Sequence, residues 1–160
     1  MINIRPIRST DDKYLAIIIR QTLAEFGADK PGTVFFDQST DALSNLFDNN
    51  QSSYFVVEEN GSILGGGGIY PTEGLPSGTC ELVKMYLSSK ARGLGIGRKI
   101  MDQCFTFAKK MGYQQIYIET MPELAHAVKV YEHLGFQRIK APLGKSGHYG
   151  CNIWMIKSII

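Results

Sequence analysis

Between two apolar runs the chain reads "SSKARGLGIGRKIM", Ser88 to Met101, with glycines at three alternate positions, Gly93, Gly95 and Gly97. The run before it, Cys80 to Leu87, predicts a strand. The run after it, to about Lys110, places Ile100, Cys104, Phe107, Ala108 and Met111 on one face and predicts an amphipathic helix. A further strand, Gln115 to Glu119, follows. A strand that turns directly into a helix and then returns to a strand makes a crossover, which implies a parallel pair with a helix packed against it.

Strand, glycine turn and helix also form the common arrangement of phosphate-binding sites, and spacing discriminates among them. A P-loop counted from Gly93 requires glycine where Arg98 stands and Ser or Thr where Ile100 stands. A dinucleotide fingerprint from Gly93 likewise requires glycine at Arg98. What the sequence offers is Arg-x-x-Gly-x-Gly, Arg92 to Gly97, running into a helix. Missing Cβ atoms let a diphosphate approach the backbone, and the N–H groups at the helix start point at it. Arg92, Arg98 and Lys99 add positive charge. A bare connection would need only one glycine, so three beside three cations favour an anion site.

The rest of the chain supplies a mixed sheet. Ile2 to Ile7 alternates as a strand, and Ser9 to Asp12 offers an N-cap for a helix ending near Phe26-Gly27. Residues 27–40 read as loop and Thr40 to Asp48 as a short helix. Tyr54 to Glu58 and Ile63 to Tyr70 flank Asn60-Gly61, a hairpin signal. Glu123 to Leu134 is a helix stopped by Gly135. Phe136 to Ile139 and Cys151 to Ile156 are final strands. The order β-α-α-β-β-β-α-β-α-β-β implies an α/β (α+β) domain over residues 1–160, its sheet flanked by helices. A chain of 160 residues suffices for one such core.

The formal charge of +2 gives no bulk attraction to nucleic acid. Cys80, Cys104 and Cys151 are widely spaced among apolar residues, as expected of reduced, packed thiols, and no metal-ligand spacing is present. The N-terminal residues lack a signal-peptide apolar run, no stretch would span a bilayer, and a cytoplasmic location is expected.

"ELVKMYLSSKARGLGIGRKIM" resembles the acetyl-CoA-binding motif of the GNAT superfamily of acyl-CoA-dependent N-acetyltransferases, and "AVKVYEHLGFQRI", Ala127 to Ile139, resembles its second motif. Leu124 stands where many members carry asparagine. The resemblance implies a mostly antiparallel sheet in which the strand ending Met85-Tyr86-Leu87 splays from the parallel strand Gln115 to Glu119. The pantetheine arm of acetyl-CoA would lie in that gap against the backbone of Met85 and Leu87. Its pyrophosphate would rest on the turn formed by Arg92, Gly93, Leu94, Gly95, Ile96, Gly97, Arg98 and Lys99. An amine would attack the thioester directly, with a backbone N–H near Leu87 as oxyanion donor.

Such a reaction needs a deprotonated amine and a proton for the departing thiolate. Tyr131, the tyrosine of the second motif, is the candidate donor, since a phenol near pKa ~10 and a thiol near ~8.5 are close to balanced. Glu81 is the leading candidate base. It begins a strand face continued by Val83, Met85 and Leu87 if no bulge intervenes, among apolar neighbours that raise a carboxylate's pKa. It also matches the position of the catalytic glutamate in the histone-acetylating branch. Glu119, ending the neighbouring strand, is the alternative, acting through water.

On the acceptor side, Phe35, Phe36 and Asp37 offer an apolar slot with one carboxylate, and His148 sits in a glycine-rich loop suited to an acceptor wall. The run Gly65 to Gly68 either makes room for substrate or permits a bulge. His126 and His133, roughly 10 Å apart along one helix, read as surface residues. The expected partner is a small-molecule or amino-acid-like amine, with neither nucleic acid nor membrane; a homodimer is left open. The rivals are a protein or peptide N-acetyltransferase and an acyl-CoA-binding sensor without turnover.

Overall fold

The computed structural model describes residues 1–160 and contains one seven-stranded sheet. Its elements, in chain order, are β1 (Ile2–Pro6), α1 (Asp12–Glu25), α2 (Leu43–Leu46), β2 (Ser53–Glu59), β3 (Ser62–Tyr70), β4 (Thr79–Leu87), α3 (Ile96–Lys110), β5 (Gln115–Thr120), α4 (Ala125–His133), β6 (Gln137–Ile139) and β7 (Ile153–Ser158). The predicted element order is reproduced. Ser9–Asp11 forms a 3-10 turn ahead of α1, and two more such turns, Val34–Phe36 and Gln38–Ala42, interrupt the segment expected to be loop.

The sheet order is β1-β2-β3-β4-β5-β7-β6. Only β4 and β5 pair in parallel, joined by the α3 crossover. The crossover through α4 makes no adjacent parallel pair, because β7 inserts between β5 and β6 and pairs antiparallel with both. The Asn60-Gly61 hairpin forms as expected, both residues having positive φ (49° and 80°).

Each face of the sheet buries its own apolar cluster. On one, Ile96, Ile100, Cys104 and Ala108 of α3 pack over Leu82, Ile116 and Ile118. On the other, Leu15, Ile19 and Leu23 of α1 pack over Tyr54 and Val56. Phe107 only adjoins the first cluster, and Met111, at the end of the predicted apolar face, is exposed. All three cysteines are unpaired and buried.

A bulge in β4 decides how strand and site relate. Val83 pairs with Gly68 and Tyr86 with Gly66, so three steps on β4 oppose two on β3. The extra residue sits beside Lys84, whose φ of 50° is left-handed. Beyond it the alternation inverts: Glu81, Val83 and Tyr86 share the α1 face, while Leu82, Met85 and Leu87 face α3. The bulge therefore breaks the expected continuation of the Glu81 face into Met85 and Leu87.

Gly65 to Gly68 lie opposite that bulge, and protein fills the space they leave. A Cβ on Gly67 would meet the Met85 sulfur at 2.5 Å, and one on Gly66 the Tyr54 ring at 2.5 Å. The glycines admit the bulge and its neighbours, and give no room to a substrate.

Candidate active site

The bases of β4 and β5 are hydrogen-bonded at Thr79–Gln115, Cys80–Ile116 and Glu81–Tyr117, and not beyond. From Leu82 to Leu87 the side of β4 facing β5 has no strand partner, so the two strands diverge as expected. A cavity of about 840 Å³ opens there, lined by Met85, Tyr86 and Leu87, by the glycine turn, by α4 and by loop 140–152.

At the turn, Gly93 and Gly95 have φ near 75° and 72°, and a Cβ on either would meet nothing within 4 Å. Gly95 caps α3, whose first amide bond runs from Lys99 N–H to the Gly95 carbonyl at 3.3 Å. The N–H groups of Ile96, Gly97 and Arg98 thus have no helical acceptor. Gly97 is the informative position. Its backbone does not require glycine, and a Cβ there would reach Leu87 and Met85 at an ordinary 3.5 Å. Neither the backbone nor the packing therefore demands glycine there. All three glycines line the cavity with their open faces, a cradle fit for a diphosphate.

The cations are placed unevenly. Arg98 lines the cavity and pairs with Asp102 at 2.9 Å, whereas Leu94 and Lys99 are exposed outside its lining. Arg92 lines the cavity but is already engaged by the protein. It forks onto Glu25, donates to the Leu87 carbonyl at 3.1 Å and lies 5.0 Å from the Phe26 ring centroid.

At the other end of the cavity Glu81 is 3% exposed. One of its oxygens, Oε1, accepts a hydrogen bond from the Thr72 hydroxyl at 2.8 Å, and Oε2 has no protein donor. Burial, reinforced by the charge of Glu119, pushes its carboxyl up to about 7. Glu119 behaves oppositely. Burial works against its charge, but His148, Ser146 and Tyr117 together hold it below the ordinary carboxylate value. Its Oε2 accepts from Tyr117 at 2.7 Å and its Oε1 from the Ser146 hydroxyl.

Asp37 and His148 meet in the same cavity, with His148 Nε2 2.7 Å from Asp37 Oδ2 and Nδ1 3.7 Å from Glu119 Oε1. Burial opposes a charge on the ring, yet the two carboxylates outweigh it and raise His148 to about 9. One oxygen of Glu81, one of Glu119 and one ring nitrogen of His148 lie within 4.8 Å of one another, a spacing that also suits a metal. The imidazolium fills the cation's place between Asp37 and Glu119, and while protonated it offers no lone pair.

Lys84 is one residue that sequence reasoning missed. The left-handed bulge turns it inward, where only 4% of its side chain is exposed, and its Nζ donates to Asp37 Oδ2 at 2.9 Å. Burial works against the Asp37 charge, but His148 and Lys84 bring it down to about 2. Thr72, Ser146 and Tyr117 were missed as well; their roles depend on contacts across 9, 27 and 2 residues that no local motif marks. Phe35 and Phe36 stand apart from the cavity. They pack edge to face at 5.0 Å, Phe35 against the α1-side core and Phe36 59% exposed.

Tyr131 lines the cavity from α4, 7% exposed and packed on Phe136. Burial raises its phenol to about 12. A proton passed from it to a thiolate of ~8.5 would run uphill, where the sequence alone led to an expectation of near balance. His126 is an exposed residue at the cavity mouth, and His133 is exposed away from it.

The model of the Acetyltransferase (GNAT) family matches residues 19–136. The chain belongs to the GNAT acetyltransferases. It is 39% identical over 157 residues, 97% of this chain and 93% of the other, to the uncharacterized N-acetyltransferase YjgM of Escherichia coli. Among solved structures it is similar to a GNAT-family acetyltransferase of Staphylococcus aureus, with a TM-score of 0.88 at 21% identity and full coverage of both chains. It is also similar to the PaiA N-acetyltransferase of Thermoplasma acidophilum in complex with coenzyme A, with a TM-score of 0.78 at 15% identity over 99% of each chain. These two likenesses establish the shared acetyltransferase fold. No helix of this acetyltransferase is long and apolar enough to cross a membrane.

Proposed function

We propose that residues 1–160 act as a single catalytic domain that moves an acetyl group from acetyl-CoA to a primary amine of a small-molecule or amino-acid-like acceptor. The observation that carries this reading is one continuous cavity that joins the bare glycine cradle to a buried carboxylate through the gap between β4 and β5. Coenzyme A in the similar Thermoplasma protein supports the choice of donor.

Acetyl-CoA, when bound, supplies a thioester that a neutral amine attacks. The chain's own part begins at the turn, where the N–H groups from Gly93 to Arg98 hold the pyrophosphate and the unpaired side of Met85–Leu87 orients the pantetheine arm. Arg92 anchors the turn. Glu81 takes the proton of the arriving ammonium on its free Oε2, and its value of about 7 suits that exchange near neutral pH. Glu119 is the poorer base, because its oxygens are already hydrogen-bonded and its carboxylate is held as the anion. Tyr131 keeps its own proton at neutral pH and donates a hydrogen bond to the departing sulfur, which leaves as the CoA thiolate and takes up the surplus proton that the attacking nitrogen sheds as the amide forms.

Charge favours an acceptor that arrives as a cation. Asp37 and Glu119 are balanced by Lys84 and His148, so an ionised Glu81 leaves one net negative charge at that end of the cavity. Enclosure favours a small one. Loop 140–152 is fastened over the acceptor end by His148 on Asp37 and Ser146 on Glu119.

The test is thiol release from acetyl-CoA across amino acids, polyamines, aminoglycosides and short peptides. Acetyl-CoA-dependent turnover of a small amine, lost on Glu81→Gln, supports the reading. Turnover of peptides alone would make it a peptide acetyltransferase. A thermal shift by acetyl-CoA with no turnover of any amine would leave a binding protein.

A further inference from the structure

Glu81 and Glu119 bring carboxylate oxygens within 4.8 Å of each other, both side chains nearly excluded from water. Two like charges so placed cannot ionise independently. The asymmetry between them has a structural origin. Glu81 receives one hydrogen bond, from Thr72. Glu119 receives the Tyr117 and Ser146 hydroxyls and faces His148, and the Tyr117 oxygen in turn accepts the Leu143 N–H at 3.0 Å.

Leu143, Ser146 and His148 all belong to loop 140–152, so one loop supplies much of what keeps Glu119 charged. That loop is tied down independently by Lys145 N–H to the Glu73 carbonyl at 2.7 Å and Gly150 N–H to the Gly32 carbonyl at 2.8 Å.

We propose that Glu119 is a positioning residue which, fixed as an anion by loop 140–152, sets the proton affinity of Glu81, so that seating of this loop tunes the base. The proposal rests on the reading of Glu81 as base. The groups facing Glu81 are Glu119 and Tyr117 from β5, Lys84 from β4, Thr72 from the β3–β4 connection, and His148 and Cys151 from the loop side, while its neighbour Cys80 points to the opposite face. Of these, Glu119 resists ionisation of Glu81, while Thr72, His148 and Lys84 favour it. With the loop lifted, water reaches both carboxylates and their mutual repulsion is screened. Glu81 then binds its proton less tightly and hands the amine back as ammonium.

The experiment titrates the Glu81 carboxyl by 13C NMR of glutamate-labelled full-length protein, its resonance assigned by its loss in Glu81→Gln. The variants are Glu119→Gln and Ser146→Ala, and the pH profile of acetyl transfer is recorded beside the titration. The expected result is a midpoint near 7 in the parent, about a unit lower in Glu119→Gln and lower by less in Ser146→Ala. Turnover at pH 6 relative to pH 8 should rise at least about threefold in Glu119→Gln, following the midpoint. An unmoved Glu81 midpoint in both variants, with the amide spectrum unchanged, overturns the proposal. Ser146→Ala keeps both carboxylates, so it decides the matter if Glu119→Gln does not fold. A shifted midpoint in a protein that acetylates no amine would retain the coupling and overturn the acetyltransferase reading alone.

Discussion

Arg92 and Glu25 form a fork, each Nη of the arginine 2.8 Å from one carboxylate oxygen, and the pair ties the end of α1 to the glycine turn. The Arg92 Nε simultaneously holds the carbonyl of Leu87, the last residue of β4. A lysine keeps the charge but cannot make three such bonds at fixed angles. Arg92→Lys is therefore expected to lower the melting temperature by a few degrees and weaken acetyl-CoA binding several-fold. Thermal melts with and without acetyl-CoA check both; unchanged binding would mean that the turn holds its shape unaided.

Gly97→Ala separates folding from binding. The backbone there accepts any residue and the added Cβ meets only ordinary contacts. In the helix itself alanine is better by roughly 0.5–1 kcal/mol. The variant should melt at or above the parent temperature yet bind acetyl-CoA at least about tenfold more weakly, because the methyl group occupies the cradle. Calorimetric titration decides it. Retained affinity would place the diphosphate elsewhere.

Glu81 carries a pH signature in stability as well as rate. Its folded-state value of about 7 lies above the ordinary 4.5, so the folded protein binds this proton more tightly than the unfolded chain does. The stability it contributes is complete below 4.5 and is lost as pH rises through 7. Glu81→Gln should therefore gain stability relative to the parent between pH 5 and 8, and denaturant melts across that range test the sign. In turnover, kcat/KM should rise with pH through about 7 and then level.

His148 acts in the opposite direction to a carboxylate with a lowered value, yet follows the same rule. Raised from 6.5 to about 9, it contributes stability that is present below 6.5 and lost as pH climbs through 9. His148→Gln should reduce the melting temperature at pH 6.5 by more than at pH 10. An equal loss at both would show that its charge holds nothing.

Tyr131→Phe should preserve acetyl-CoA binding and depress turnover on the order of tenfold or more. A full proton transfer from a phenol near 12 is uphill, so the loss should lie at the modest end of acid–base effects. Unchanged turnover would assign Tyr131 to packing against Phe136 alone.

Periodicity made the order of elements legible, because each run of Ile, Leu and Val announces its own pleat or helical face. The glycine turn was legible for a similar reason: its spacing is local and both rivals fail at Arg98, the P-loop at Ile100 as well. The carboxylate end of the cavity was not. Lys84 reads as a solvent-facing lysine in an alternating strand, and only the long-range pairing of β4 with β3 places the bulge that turns it inward. Its partner Asp37 lies 47 residues before it in sequence, and His148 is 111 residues from Asp37, on the other side of Lys84. Asp37 and His148 were nominated from the company they keep in sequence, and the structure brings them together at 2.7 Å. The same logic nominated Phe35 and Phe36, whose rings settle instead on the core and the surface.

The half-pleat inserted at Lys84 also governs how this strand can be engineered. A chimera that joins the β4 of a relative to this one without carrying the bulge would conserve every apolar residue and still fail. Met85 and Leu87 would exchange sides with Tyr86, leaving α3 without its floor and the carboxylate end with aliphatic groups in place of a phenol. Strand grafts into this chain must therefore be cut before Glu81 or after Leu87, since the segment between them is a single indivisible cassette.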